Sequence, residues 1–207
     1  MKILVVFHSV YGHIHALANA VAAGVQEVPG VELVLRRARE FPETIQYMEQ
    51  EKGYSYQVYQ GVQSIPECTL DDLREADGVL FGSPTRYGNM TAQMKALIDG
   101  TAQLWLTGAM EGKPAGVFTS TGSTHGGQET TLVTMMIPLL HLGMIIVGVP
   151  YSAPGMLHTE ARGGTPYGST TIAGPKGELQ PTPEDLTIAR LHGKRVAEAA
   201  LALRSKK

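Results

Sequence analysis

The sequence predicts a doubly wound α/β fold, a parallel sheet with helices on both faces, and three observations carry that expectation. Apolar runs such as Ile3 to Phe7 lack polar alternation, so they read as strands buried on both faces. Segments of helical periodicity separate these runs, and strand and helix alternate five times. The 207 residues, 43% apolar and 17% charged, suit one core with insertions (residues 1–207 as a single domain) better than two.

Each element has a local reason. After the first strand, Ile14, Leu17, Ala18, Val21 and Val25 recur at helical spacing. Val31 to Leu35 fits a second strand. Thr69, with Asp72 three residues on, caps a short helix before the third strand, Gly78 to Phe81. Thr91 caps a helix whose one face carries Met94, Leu97, Ile98, Thr101, Leu104 and Trp105. A fourth strand fits Ala115 to Phe118, followed by a helix from about Glu129 to Leu142 that Pro138 kinks. Met144 to Val147 fits the fifth strand, and Thr182-Pro183-Glu184-Asp185 opens the last helix with a hydroxyl, a proline and two acids. Residues 38–68 and 150–181 fall outside the alternation and read as long insertions.

The totals exclude several classes. A net charge of −2 offers no footprint for nucleic acid or an anionic membrane. The single Cys68 rules out an internal disulfide or a cysteine metal cluster and fits a reducing, cytoplasmic setting. No apolar run is long enough for membrane insertion. With no H-E-x-x-H and no G-x-S-x-G, neither a metal site nor a hydrolase elbow is expected.

Ligands of open α/β sheets sit outside the carboxyl ends of the strands, and three loops expected there are unusual. The first, Ser9-Val10-Tyr11-Gly12-His13-Ile14, runs into a helix N-terminus and gathers backbone N–H groups, which suits a phosphate. It has neither the Lys-Ser/Thr ending of a triphosphate loop nor a G-x-G-x-x-G fingerprint, so a monophosphate such as that of FMN fits better. The second, Ser83-Pro84-Thr85-Arg86-Tyr87-Gly88-Asn89-Met90, pairs turn residues with an aromatic ring and polar groups suited to a flat heterocycle. The third runs from Ser120-Thr121-Gly122-Ser123 through Thr124 and His125 to Gly126-Gly127-Gln128, and its glycines let backbone approach a ligand.

Together these loops resemble those of WrbA-type NAD(P)H:quinone oxidoreductases of the flavodoxin-like superfamily. The first resembles a Y-S-x-Y-G-H-I pattern with His8 where tyrosine is common. The second matches P-T-R-[FY]-G-N-M, and the third ends in G-G-Q-E but is one residue longer than the common form. The run Arg162 to Gly174 resembles a block that ordinary flavodoxins lack.

The resemblance implies a five-stranded sheet in the order 2-1-3-4-5, non-covalent FMN, and two-electron reduction of quinones by NADH or NADPH in a ping-pong hydride transfer. It also implies a homotetramer with flavin sites between subunits. By motif, Ser9 to Ile14 hold the phosphate, and Pro84 to Asn89 (Thr85, Arg86 and Tyr87 above all) address the ring. Ser120 to Gly127 address its pyrimidine side. Tyr11 is implied in nicotinamide contact, Trp105 in the quinone pocket and His141 in a flavin-side or proton-handling role; Leu142 stands where some members carry a second histidine. The plainer alternatives are a core histidine for His141, helix packing for Trp105 and a solvent-facing first-turn residue for His13. A one-electron carrier or an FMN-containing regulatory partner is the alternative function, disfavoured by the weak charge and the 162–174 block.

Overall fold

The structure, a computed structural model, describes residues 1–204. Its strands are β1 (Lys2–Phe7), β2 (Glu32–Arg37), β3 (Gly78–Pro84), β4 (Pro114–Thr121), β5 (Ile145–Ile146) and β6 (Ser169–Ile172). All pair in parallel, in the order β2-β1-β3-β4-β5, with β6 also on β4. That is the predicted order.

The helices are α1 (His13–Gln26), α2 (Pro42–Glu51), α3 (Tyr54–Gly61), α4 (Leu70–Glu75), α5 (Ala92–Asp99), α6 (Ala102–Leu106), α7 (Gln128–His141) and α8 (Pro183–Arg204). β1 shows how the strands feed two cores. Ile3, Val5 and Phe7 pack with α1 and α8, whereas Leu4 and Val6 join the cluster holding Met94, Leu104 and Leu132. α1 and α8 meet backbone to backbone: a Cβ on Gly24 would lie 1.7 Å from the Arg190 carbonyl oxygen.

Three details depart from the sequence reading. The fifth sheet position is filled by two strands end to end, β5 beside Pro114 and Ala115 and β6 beside Phe118 to Thr121. The chain leaves the sheet after Ile146 and returns through Gly168, where any Cβ would sit 2.0 Å from the Val117 carbonyl oxygen. The helix capped by Thr91 stops at Asp99, and Thr101 Oγ1 donates to the Ile98 carbonyl at 2.6 Å before α6 begins. Residues 38–68 are largely helical, α2 starting with Pro42 in its first turn. Among the described residues no helix is long and apolar enough to cross a membrane.

The predicted caps form. Thr69 and Asp72 make a reciprocal capping box on α4. Thr182 and Asp185 do the same for α8, each backbone N–H donating to the other's side chain at 3.1 Å.

Candidate active site at the strand tips

The tips of β1, β3 and β4 surround a cleft of about 360 Å³. Its first wall is the β1–α1 turn. Gly12 reaches φ 88°, a left-handed conformation that costs glycine little, and opens α1 without a side-chain cap. The amides of Tyr11, Gly12, His13 and Ile14 have no acceptor among the described residues, and the first turn of α1 carries no acid. Four free donors at the positive end of a helix dipole are what an anion needs. Ser9 lies outside the cleft, its Oγ accepting from His15 N–H at 3.3 Å. His13 is buried rather than solvent-facing, and its Nε2 donates to the Leu179 carbonyl at 2.9 Å.

The second wall is a tight hairpin. Arg86 and Asn89 exchange backbone hydrogen bonds of 2.7 and 3.1 Å, with Tyr87 at φ 54° and Gly88 at φ 77° between them. Two left-handed central residues define a type I′ turn. The Thr85 hydroxyl accepts from Gly88 N–H at 3.1 Å and lies 2.8 Å from Thr131 Oγ1, so it braces the turn against α7. Arg86 donates to the Thr85 carbonyl at 2.8 Å and has no carboxylate partner among the described residues. Pro84, Thr85 and Arg86 line the cleft; Gly88 stands behind it, and the Tyr87 ring is fully exposed.

The third loop divides. Ser120, Thr121 and Gly122 line the cleft. Ser123, Gly126 and Gly127 turn away: Gly126 N–H donates back to the Ser123 carbonyl at 3.0 Å, and Gly127, at φ 91°, opens α7. Thr85 N–H donates to the Ser120 carbonyl at 2.9 Å, locking the second and third loops together.

A fourth segment, Ala173 to Gly177, completes the cleft and was not singled out from sequence as a site. Ala173 N–H donates to the Thr121 carbonyl at 2.7 Å, and Gly177 N–H closes a turn on the Gly174 carbonyl at 3.1 Å. The Gly-Pro-Lys-Gly turn signature after a β-rich run was the available signal. It also brings Lys176 to the cleft, so the cleft does hold a lysine, on a segment remote from the first loop.

The cleft suits a flavin mononucleotide. Free amides and two cations, with no acid among the lining residues, serve a phosphate; Val10, Ile14, Pro84 and Ala173 offer apolar surface to a ring.

Trp105 and His141 lie elsewhere. They share an apolar groove of about 580 Å³ between α5–α6 and α7, with Asn89, Met90 and Ile137. Trp105 is 61% exposed, so it is not core packing within one chain. Buried His192, by contrast, is a core histidine. Desolvation lowers its pKa to about 4, against the opposing pull of its hydrogen bond to the Val147 carbonyl at 2.8 Å.

Comparison with known proteins agrees with this geometry. Residues 1–157 match the model of the family described as NADPH-dependent FMN reductase. The chain is 48% identical to an NAD(P)H dehydrogenase (quinone) of Geotalea daltonii, covering 98% of each chain. It is also 48% identical to one of Geobacter sulfurreducens, covering 98% of this chain and 99% of the relative. Among solved structures, a flavodoxin-type WrbA-like protein from Agrobacterium tumefaciens superimposes with a TM-score of 0.65 at 23% identity, covering 97% of this chain and 98% of that one. An archaeal flavodoxin gives 0.63 at 20% identity, over 97% and 99%. The fold is flavodoxin-like, and the chain belongs to the NADPH-dependent FMN reductase family, with NAD(P)H dehydrogenases (quinone) as relatives over nearly its full length.

Proposed function

We propose that the chain binds FMN in the cleft at the tips of β1, β3 and β4 and reduces quinones with NADH or NADPH. The observation that carries this reading is the first turn of α1, whose unpaired amides face no competing acid. In this reading Tyr11 to Ile14 receive the phosphate. Pro84, Thr85 and Arg86 hold one side of the ring, and Ser120 to Gly122 the other, with Ala173 to Gly177 closing over it. When bound, FMN supplies hydride-level redox chemistry. The protein's part is to bind, orient and keep water from the ring, and the exposed Tyr87 and Tyr11 stand ready to meet a flat substrate.

Trp105 and His141 enter the proposal through assembly. Exposed Ile137 lines their groove, and exposed Leu106 and Leu140 adjoin Trp105 and His141 in the chain. A homotetramer that covers this groove would bring Trp105 and His141 to a neighbour's flavin site, with His141 holding the proton that hydroquinone formation needs. A reducing, cytoplasmic setting belongs to the same reading, supported by the single cysteine.

Steady-state kinetics test it. Varying nicotinamide at several fixed benzoquinone concentrations should give parallel double-reciprocal lines, the mark of substrates using one site in turn. Negligible nicotinamide oxidation by FMN-loaded protein would point instead to a carrier or regulatory partner.

A further inference from the structure

The Ala173 to Gly177 wall of the cleft runs on to Leu179 as a strap with little to hold it down. Ala173 and Gly174 are buried, but Pro175, Lys176, Glu178 and Leu179 are exposed, so apolar burial fixes little beyond Gly174. Its backbone bonds are internal: Gly177 N–H donates to the Gly174 carbonyl at 3.1 Å and Leu179 N–H to the Ala173 carbonyl at 2.9 Å. Lys176 N–H donates to Glu178 Oε2 at 2.8 Å, also within the strap. These bonds shape the segment without fastening it.

Among the described residues, one hydrogen bond ties positions 174–180 to the rest of the chain: His13 Nε2 donates to the Leu179 carbonyl at 2.9 Å. A carbonyl only accepts, so Nε2 carries the hydrogen. His13 is buried in the first turn of α1, so the bond has a rigid anchor at one end and a loose segment at the other. The strap rests on that turn: a Cβ on Gly177 would lie 3.6 Å from His13 Cε1 and 3.8 Å from Tyr11 Cβ.

Lys176, the neighbour of Gly177, lines the cleft beside the free amides of the first loop. Its side chain has no carboxylate partner among the described residues. Glu178, the acid of the strap, is not part of the cleft lining and packs against Gly174 instead. Ser9 to Ile14 contain neither lysine nor arginine, so the first loop offers an anion only amides and a helix dipole. A full positive charge comes to that turn only if the strap is held in place.

We propose that His13 is a positioning residue: its imidazole latches the strap to α1, and the latch holds Lys176 where it selects a flavin bearing a phosphate over riboflavin. The inference rests on the FMN reading above and names what in this chain tells the phosphorylated cofactor from the bare one.

The test uses the full chain with three substitutions. His13→Phe removes the donor, His13→Gln keeps an N–H that can reach the same carbonyl, and Lys176→Gln removes the charge. Without flavin, hydrogen exchange at Gly177 and Leu179 should quicken about fivefold in His13→Phe and stay near the wild-type rate in His13→Gln. Fluorescence titration with FMN and with riboflavin then gives the ratio of their dissociation constants. Lys176→Gln should lower the preference for FMN about fivefold. His13→Phe should lower it by a similar factor, His13→Gln should restore it, and His13→Phe should add nothing once Lys176→Gln is present. A merely structural His13 would weaken both flavins alike and leave the ratio unmoved, which overturns the proposal. A His13→Phe effect that persists in full beside Lys176→Gln also overturns it, since that effect would act through the α1 amides. Unchanged exchange across the strap does the same. Should His13→Phe fail to fold, Lys176→Gln on the exposed strap decides, an unaltered ratio being the contrary result. A wild type that binds neither flavin defeats the functional reading instead, and the exchange comparison still judges the latch.

Discussion

Tyr87 sits at φ 54°, where a side chain costs about 1 kcal/mol, and its fully exposed ring makes no packing contact to offset that cost. Strain held at a strand tip is a mark of use. Tyr87→Asn, better suited to the left-handed region, should raise the melting temperature by about 2 °C while slowing quinone turnover, which a thermal melt and a rate assay would read together. Unchanged turnover would remove Tyr87 from the site. His192 gives a second expectation at this scale. Its folded pKa of about 4 lies below the unfolded value, so its contribution is complete above pH 6.5 and is lost as pH falls toward 4. The loss amounts to about 3 kcal/mol. Denaturant unfolding of the wild type and His192→Gln across that window should differ in slope; parallel curves would contradict the assignment.

At the scale of elements, the split fifth position ties fold to site. Asp185, buried at the start of α8, accepts from Gly163 N–H at 3.0 Å, Thr171 Oγ1 at 2.8 Å and Thr182 N–H at 3.1 Å. It thereby fixes the insertion, β6 and α8 to one another, and β6 leads straight into the Ala173 to Gly177 wall of the cleft. Asp185→Ala leaves three donors without their acceptor and should cost about 2–4 kcal/mol in denaturant unfolding. Hydrogen exchange should rise first across 163–177; uniform loss of protection would refute this coupling. The same region marks the limit of what sequence discloses. The first three loops were legible because their chemistry is written in consecutive residues after recognisable strands. The β5–β6 division was not, since it depends on Gly168 finding Val117 after a long excursion. Nor was the His13–Leu179 hydrogen bond, 166 residues apart, or the place of Lys176. The α2–α3 region was read as irregular because its polar composition hid a helical pattern with only Met48 buried on α2.

For the whole molecule, the two concave surfaces divide the labour. The cleft at the strand tips, with free amides, Arg86 and Lys176 beside apolar Val10, Ile14, Pro84 and Ala173, suits a phosphorylated ring, and in the proposed tetramer the apolar groove carrying Trp105 and His141 is the surface that another copy covers. On that proposal a single chain contributes the cofactor cleft and one side of the reaction chamber. Cofactor retention is the most direct measurement of the central claim. The purified chain, mixed with excess FMN and dialysed, should keep one equivalent with quenched fluorescence and a visible absorbance that NADH or NADPH bleaches and benzoquinone restores. Full recovery of free-flavin fluorescence, with no colour left on the protein, would contradict it.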